Sequence, residues 1–378
     1  MRIAVLLSGS GVNGVTAHCR GLIKFLCDRG HQILLVHRLS PWIEKQPEFR
    51  NVARFETSFA LRPKEILEVG KQILRFDADV IHSHMSAAHA YGAFYRLFSS
   101  IPVVATAHAM HVQLHWLLNS FVIATSHEAE NFHRRFNFVD KNRIATIPNF
   151  VDTEYFRPPN ERERVEARSA LSVSPEEFVV GFVGDLIDRK RPKDLLHAFA
   201  KLAQARNGVR LLVAGGPHKR VEALRELGHG LGVGKFVSAI GHCTNIRQAY
   251  WAMDLFAHPS GEETGPLAVL EAAAAGLPVV ATDVGMVSSF VKDGISGFVI
   301  AVGDTEHMAR RILEISSDRK QLIEFSLAAR RQTEEVFSVS ALAPQIEALF
   351  ARLALRSKAH RRAILPPRQL WDHNRYLT

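Results

Sequence analysis

Short apolar runs alternate with amphipathic stretches along most of the chain. Ile3 to Leu7 is a continuous apolar run, followed by a Gly/Ser stretch carrying Gly9, Gly11 and Gly14. Val15, Cys19, Leu22, Ile23 and Leu26 then recur at helical spacing until Gly30 stops them. Further runs predict strands at 33–36, 80–82, 103–106 and 122–124. Near Pro148 the pattern breaks into PNFVDTEYFRPPNERERVEARS, rich in Pro, Asn and charge. Alternation resumes with predicted strands at 178–183, 210–214, 255–258, 278–281 and 297–300. Helices are predicted near 194–205, through Leu270, and over about 341–355.

Continuous apolar strands separated by helices imply parallel sheets covered on both faces. The chain therefore reads as α/β, with two doubly wound domains joined near residues 155–175. The first spans residues 1–160 and the second 161–340, and the helical segment of about 341–378 is expected to return to the first. Ligands of such sheets bind beyond the carboxyl ends of the strands. The loops at Gly9–Gly14, His82–His84, His108, Gly184–Arg191 and His258–Gly265 all follow strands, so they are expected to share one cleft.

Composition narrows the class. A length of 378 residues fits two domains, and 47% apolar with 22% charged residues fits a globular chain. No apolar run approaches the roughly 18–20 residues that cross a bilayer. The opening MRIAVLLSGSG is too short for a signal peptide's apolar region of about 7–15 residues. It reads as a buried strand, and the expected location is cytoplasmic. Cys19, Cys27 and Cys243 are odd in number and form no CxxC, which argues against a disulfide framework or structural zinc.

The net charge is +9, of which +6 lies from Arg352 to the end. The rest is nearly balanced, which argues against a large nucleic-acid-binding face. The basic tail can bind anionic lipid at about 1 kcal/mol per charge, or simply be a solvated helix end.

The most informative segment is HPSGEETGPLAVLEAAAAGLPVVATDVG, His258 to Gly285. Pro266 suits the first position of a helix that Gly276 ends. Free N–H groups at that helix start favour phosphate. Glu263 and Glu271 are poor phosphate neighbours but good acceptors for sugar hydroxyls. The alternative is that both glutamates complement the helix dipole or are solvated. In GFVGDLIDRKRPKDLLHAF the loop after Gly184 carries Arg189, Lys190, Arg191 and Lys193, which can neutralise a departing diphosphate or form a solvated helix start.

Two further features are weaker. Gly9, Gly11 and Gly14 have GxGxxG spacing, but the second strand ends Val36–His37–Arg38, without the acidic residue that would bind a dinucleotide ribose. His108, His111 and His115 would share one face if that stretch were helical, yet no carboxylate lies nearby, so no metal is expected. A strand-end histidine facing the cleft suits a polar contact to substrate.

Several segments in order resemble one family. They are the Gly-rich first loop, Arg29–Gly30–His31, DVIHSH at Asp79–His84 and IPNFVDTEYFRP at Ile147–Pro158. Further on come Glu263 and Glu271 with seven residues between them, ATDVG at Ala281–Gly285 and DGISGFVI at Asp293–Ile300. Together they look like the retaining glycosyltransferases of family four, over residues 1 to about 350. The resemblance implies a GT-B fold: two facing Rossmann-like domains with a deep interdomain cleft, the first binding acceptor and the second a nucleotide-sugar.

It further implies roles by position. Glu271 would bind the donor ribose, and Glu263 with Gly265, Pro266 and Leu267 would hold the donor sugar and diphosphate. Lys190 matches the phosphate-binding lysine, His108 the histidine near the donor sugar, and Gly11 the first-loop glycine beside the diphosphate. Gly184 and Arg189 complete the donor set, and Glu263, His108 and Lys190 are the expected catalytic residues. No cofactor and no metal are expected. Departures are Asp185 for the usual Arg, Thr264–Gly265–Pro266 for Gly–Phe–Gly, Met286 for a glycine and Ser289 for a glutamate.

The expected function is transfer of a sugar from a nucleotide-diphosphate donor, UDP being the commonest case, to a glycan or lipid-linked acceptor. Synthesis of surface polysaccharide or lipopolysaccharide, with peripheral contact to an anionic membrane, fits that reading. The alternatives are a nucleotide-sugar epimerase and a catalytically silent binding protein, with Asp185 as the damaging change.

Overall fold

The computed structural model describes residues 1–364 except 10, 12, 40–45, 47–48, 50–51 and 244, with side chains to residue 358. Most of the basic tail therefore lies outside the described residues. The amino-terminal sheet is built from β1 (Arg2–Leu7), β2 (Gln32–His37), β3 (Ala53–Glu56), β4 (Val80–His84), β5 (Val103–Ala107), β6 (Phe121–Ala124) and β7 (Ile144–Thr146). All pairs are parallel, in the order β3-β2-β1-β4-β5-β6-β7. The carboxy-terminal sheet holds β8 (Phe178–Val183), β9 (Val209–Ala214), β10 (Val237–Gly241), β11 (Leu255–His258), β12 (Val279–Thr282) and β13 (Gly297–Ile300). Its order is β10-β9-β8-β11-β12-β13, again parallel.

The strand order reverses between β1 and β4 in the first sheet and between β8 and β11 in the second. Those two switch points are where open α/β sheets bind ligands. Central strands are buried on both faces, which is why they read as continuous apolar runs. β3, β7 and β10, which the apolar pattern does not predict, are all sheet edges with mixed exposure.

The first helix, Gly14–Asp28, starts on a reciprocal cap: Asn13 Oδ1 accepts from Thr16 N at 3.1 Å, and Thr16 Oγ1 accepts from Asn13 N at 3.0 Å. Its buried stripe of Cys19, Leu22, Ile23 and Leu26 packs on β1 and β2 residues. The chain crosses between sheets after β7 and returns where Val151 N donates to Phe337 O at 2.9 Å and Val339 N donates to Val151 O at 3.0 Å. The final helix, Val339–Ile364, is longer than the 341–355 predicted from pattern. It lies on the first domain: Glu347 Oε1 contacts His31 Nε2 at 2.7 Å, and Lys358 Nζ lies 2.6 Å from Asp79 Oδ1. Among the described residues no helix is long and apolar enough to cross a membrane.

Two local expectations are corrected. Residues 108–113 are not helical, and only a 3-10 turn follows at Leu114–Leu118, so His108, His111 and His115 do not share a helix face. Pro266 is the residue flanking the helix start, and the helix itself is Leu267–Ala274.

Candidate active site

The loops after β1, β4, β5, β8 and β11 surround a cavity of about 360 Å³ between the domains. Its amino-terminal wall includes Asn13, Gly14, Arg20, Met85, His108 and Asn149. The carboxy-terminal wall includes Gly184, Asp185, Arg189, Lys190, residues 263–267 and Glu271. Nine of the ten expected site residues thus line one cavity. Gly11 does not: it is exposed in the first loop, where its carbonyl accepts from Thr16 Oγ1 at 3.0 Å.

Glu263 is the most connected carboxylate in the cleft. Its Oε1 accepts from the Lys190 ammonium and from Ser260 Oγ at 2.8 Å, and lies 3.2 Å from His258 Nε2 without hydrogen-bond alignment. Its Oε2 lies 3.4 Å from Arg189 Nη1. Burial alone would raise its pKa, but the His258 contact and the Lys190 charge outweigh that and hold it well below the ordinary carboxylate range. It stays ionised beside Lys190 at the cavity wall.

Backbone packing fixes this loop. Gly285, at φ +55°, sits so close that a Cβ there would lie 2.4 Å from Glu263 O. Met286 N also donates to Thr264 O at 3.1 Å, and Gly261 N donates to Arg189 O at 2.7 Å. The acidic loop is thereby tied to the basic loop on one side and to residues 285–286 on the other.

The helix Leu267–Ala274 opens on the cavity with no side-chain cap and no acidic residue in its first turn. Its unpaired N–H groups suit an anion. One turn further, buried Glu271 accepts from Tyr250 Oη at 2.7 Å. Burial pushes the Glu271 carboxyl up, against the pull of the Tyr250 hydroxyl and the Arg20 guanidinium.

His108 faces the cavity from the other domain. Burial lowers its pKa to about 4, against an opposing contact from Asn149, so the ring is neutral near pH 7 and can exchange hydrogen bonds with a sugar. Two hydrogen bonds tie this wall to the Glu263 loop: Thr264 Oγ1 donates to His108 O at 2.9 Å, and Asn149 Nδ2 donates to Gly265 O at 2.7 Å.

Two profiles of known families cover nearly all of this frame. "Glycosyltransferase Family 4" matches residues 12–155 and "Glycosyl transferases group 1" matches residues 163–332. The chain belongs to this glycosyltransferase family. It is 31% identical over 288 residues to the D-inositol 3-phosphate glycosyltransferase of Mycobacterium marinum, covering 66% of this chain and 59% of that protein. With the protein of the same name from Nocardia farcinica it shares 30% over 304 residues, covering 71% and 66% respectively. The chain thus spans less than two thirds of the length of either relative. Among solved structures, Anabaena HepE in complex with UDP-glucose superposes with a TM-score of 0.81 at 21% identity, covering 93% of this chain and 100% of that one. The fold is GT-B.

Family members' usual arginine after Gly184 is Asp185 here. Its side chain is exposed and lines the cavity. Arg189 is drawn to Glu263 and Arg191 to Asp194 at 2.6 Å, so among the described residues neither guanidinium pairs with Asp185. Met286 and Ser289, the other departures, do not line the cavity. Sequence reasoning gave no role to Tyr250, Ser260, Asn149 or Thr264. Asn149 lies within the interdomain segment Ile147–Pro158, but nothing local marks Tyr250 as the partner of Glu271.

Proposed function

We propose that the chain transfers a sugar, with retention of configuration, from a nucleoside-diphosphate donor to a glycan or lipid-linked acceptor. One observation carries this reading: Lys190, the uncapped helix start at Leu267 and buried Glu271 line the same cavity. The first two suit a diphosphate, and the third suits ribose hydroxyls. HepE holds UDP-glucose on the same fold, which makes UDP-glucose the first donor to test.

Charge on the leaving diphosphate is met by Lys190, Arg189 and the helix dipole, so the transfer proceeds without a metal or other cofactor. Glu263 is a poor nucleophile, because Lys190 and Ser260 already occupy Oε1. The reaction is therefore front-face: the departing phosphate oxygen takes the acceptor's proton while the new bond forms on the face the leaving group vacates. Neutral His108 and the Glu263 loop hold the donor sugar. Relatives named for D-inositol 3-phosphate add a phosphorylated cyclitol to the acceptor panel.

A second reading has one observation in its favour. The unpaired Asp185 carboxylate on the cavity wall would repel a diphosphate, as in a silent nucleotide-sugar-binding protein. Nuclear magnetic resonance of the products, with UDP-glucose and mixed acceptors, separates the readings. A new α-glycoside supports transfer, donor binding without any product supports the silent reading, and an altered sugar from donor alone supports an epimerase. We place the enzyme at the cytoplasmic membrane face, in surface-polysaccharide or lipopolysaccharide synthesis, with the basic segment from Arg352 as its contact. Flotation on anionic liposomes, with and without residues 352–378, tests that placement.

A further inference from the structure

Three imidazoles from separate elements converge behind the amino-terminal wall of the cleft. His18 lies on the first helix, His84 ends β4 and His108 follows β5. One ring nitrogen from each lies within 4.8 Å of the other two, and His84 Nδ1 is 3.1 Å from His108 Nε2. His18 is only 3% exposed, and neither of its ring nitrogens has a hydrogen-bond partner. Buried polar groups are rarely left unpaired, so an orphaned His18 nitrogen within reach of the two other rings calls for a ligand.

The surroundings also suit one. His84 Nε2 is held by His82 Nδ1 at 3.2 Å, and His82 Nε2 by Thr106 Oγ1 at 2.8 Å. An outer chain of this kind fixes the tautomer and orientation of a metal-binding imidazole.

We propose that His18, His84 and His108 form a binding site for a divalent transition ion of the zinc class. Three nitrogen donors without a carboxylate favour zinc or cobalt over magnesium or calcium, so this ion is not the counter-charge of a diphosphate. Tetrahedral bonds of about 2.0–2.1 Å place ligand nitrogens roughly 3.4 Å apart, and the triad reaches that spacing by shifts of about 1 Å. Three protein ligands leave a fourth position open. Because His108 also lines the donor cavity, occupation of the site would draw it away from the sugar.

The test is cobalt(II) added to the full chain after chelation and desalting. The expected result is one equivalent bound, with the intense visible absorption of tetrahedral cobalt and a raised unfolding midpoint. His18→Phe should abolish that spectrum. This variant fills the same space beside Phe150, whose ring centroid lies 4.1 Å from that of His18, and removes both orphaned nitrogens, so its metal-free midpoint should not fall. His84→Ala should also abolish the spectrum. No stoichiometric tetrahedral spectrum in the wild-type chain would overturn the proposal and leave a water among the three rings. An unchanged spectrum in a folded His18→Phe variant would overturn it too, assigning the ion to surface histidines. Neither readout depends on sugar transfer.

Discussion

Thr264 Oγ1 donates a 2.9 Å hydrogen bond to the carbonyl oxygen of His108, joining the carboxy-terminal Glu263 loop to the amino-terminal wall of the cleft. Thr264 stands where the family usually has glycine, so this contact belongs to this chain's own sequence. Thr264→Val keeps the shape and removes the donor. A net hydrogen bond of this kind is worth about 1 kcal/mol, or roughly five-fold in a binding constant. The expected outcome is about a five-fold rise in KM for the donor, with an unchanged unfolding midpoint of the carboxy-terminal domain.

Tyr250 and Glu271 form a buried pair, and they separate binding from stability. Glu271→Gln retains an acceptor for Tyr250 but loses the charge expected to hold ribose. Charge-assisted hydrogen bonds are worth about 1.5–3 kcal/mol, so donor affinity should fall roughly 10- to 100-fold, read by calorimetry, while the fold survives. Tyr250→Phe should instead lower stability in urea unfolding, because it leaves a buried carboxyl short of its partner.

Asp185 carries the strongest departure from the family pattern. Near a diphosphate, an exposed carboxylate costs about 1 kcal/mol for charges 4 Å apart in water-like surroundings. Asp185→Asn should tighten UDP-glucose binding about five-fold, less so at high salt. Equal affinities in calorimetry would show that this side chain turns away from the bound donor.

The distribution of legible and illegible parts follows from where information sits in the chain. Strands covered on both faces, such as Ile3–Leu7 and Val103–Thr106, announce themselves as apolar runs. Edge strands such as Ala53–Glu56 and Ile144–Thr146 are short and half-wet, and carry no such signature. Glu263, Lys190 and Glu271 were readable because they sit just beyond strand ends, in the loops and helix starts that face a ligand. Their partners were not. Tyr250 and Glu271 stand 21 residues apart and meet only in the folded chain, and His18, His84 and His108 meet only once β1, β4 and β5 lie side by side.

Buried histidines also set the acid stability. His133 donates from Nε2 to Ala109 O at 3.2 Å while its Nδ1 faces Asn137 Nδ2 at 2.9 Å, which fixes a neutral tautomer. Burial lowers its pKa to about 4, and burial also lowers that of His89 well below the ordinary 6.5. The unfolded chain therefore binds more protons below about pH 6.5. The stability these neutral rings contribute is complete above that value and is lost as pH falls toward 4, at about 1.4 kcal/mol per pH unit for each fully buried ring. Urea unfolding should show this loss, and His133→Gln, which cannot titrate, should flatten the profile by one ring's share.

The most direct test of the proposed donor site is a crystal structure of the chain with an intact nucleoside-diphosphate sugar. The diphosphate should lie between the Lys190 ammonium and the N–H groups at Leu267 and Ala268, with the ribose hydroxyls on Glu271 and the sugar beneath His108. A diphosphate bound elsewhere, or a complex in which neither Lys190 nor Glu271 touches the donor, would contradict the account.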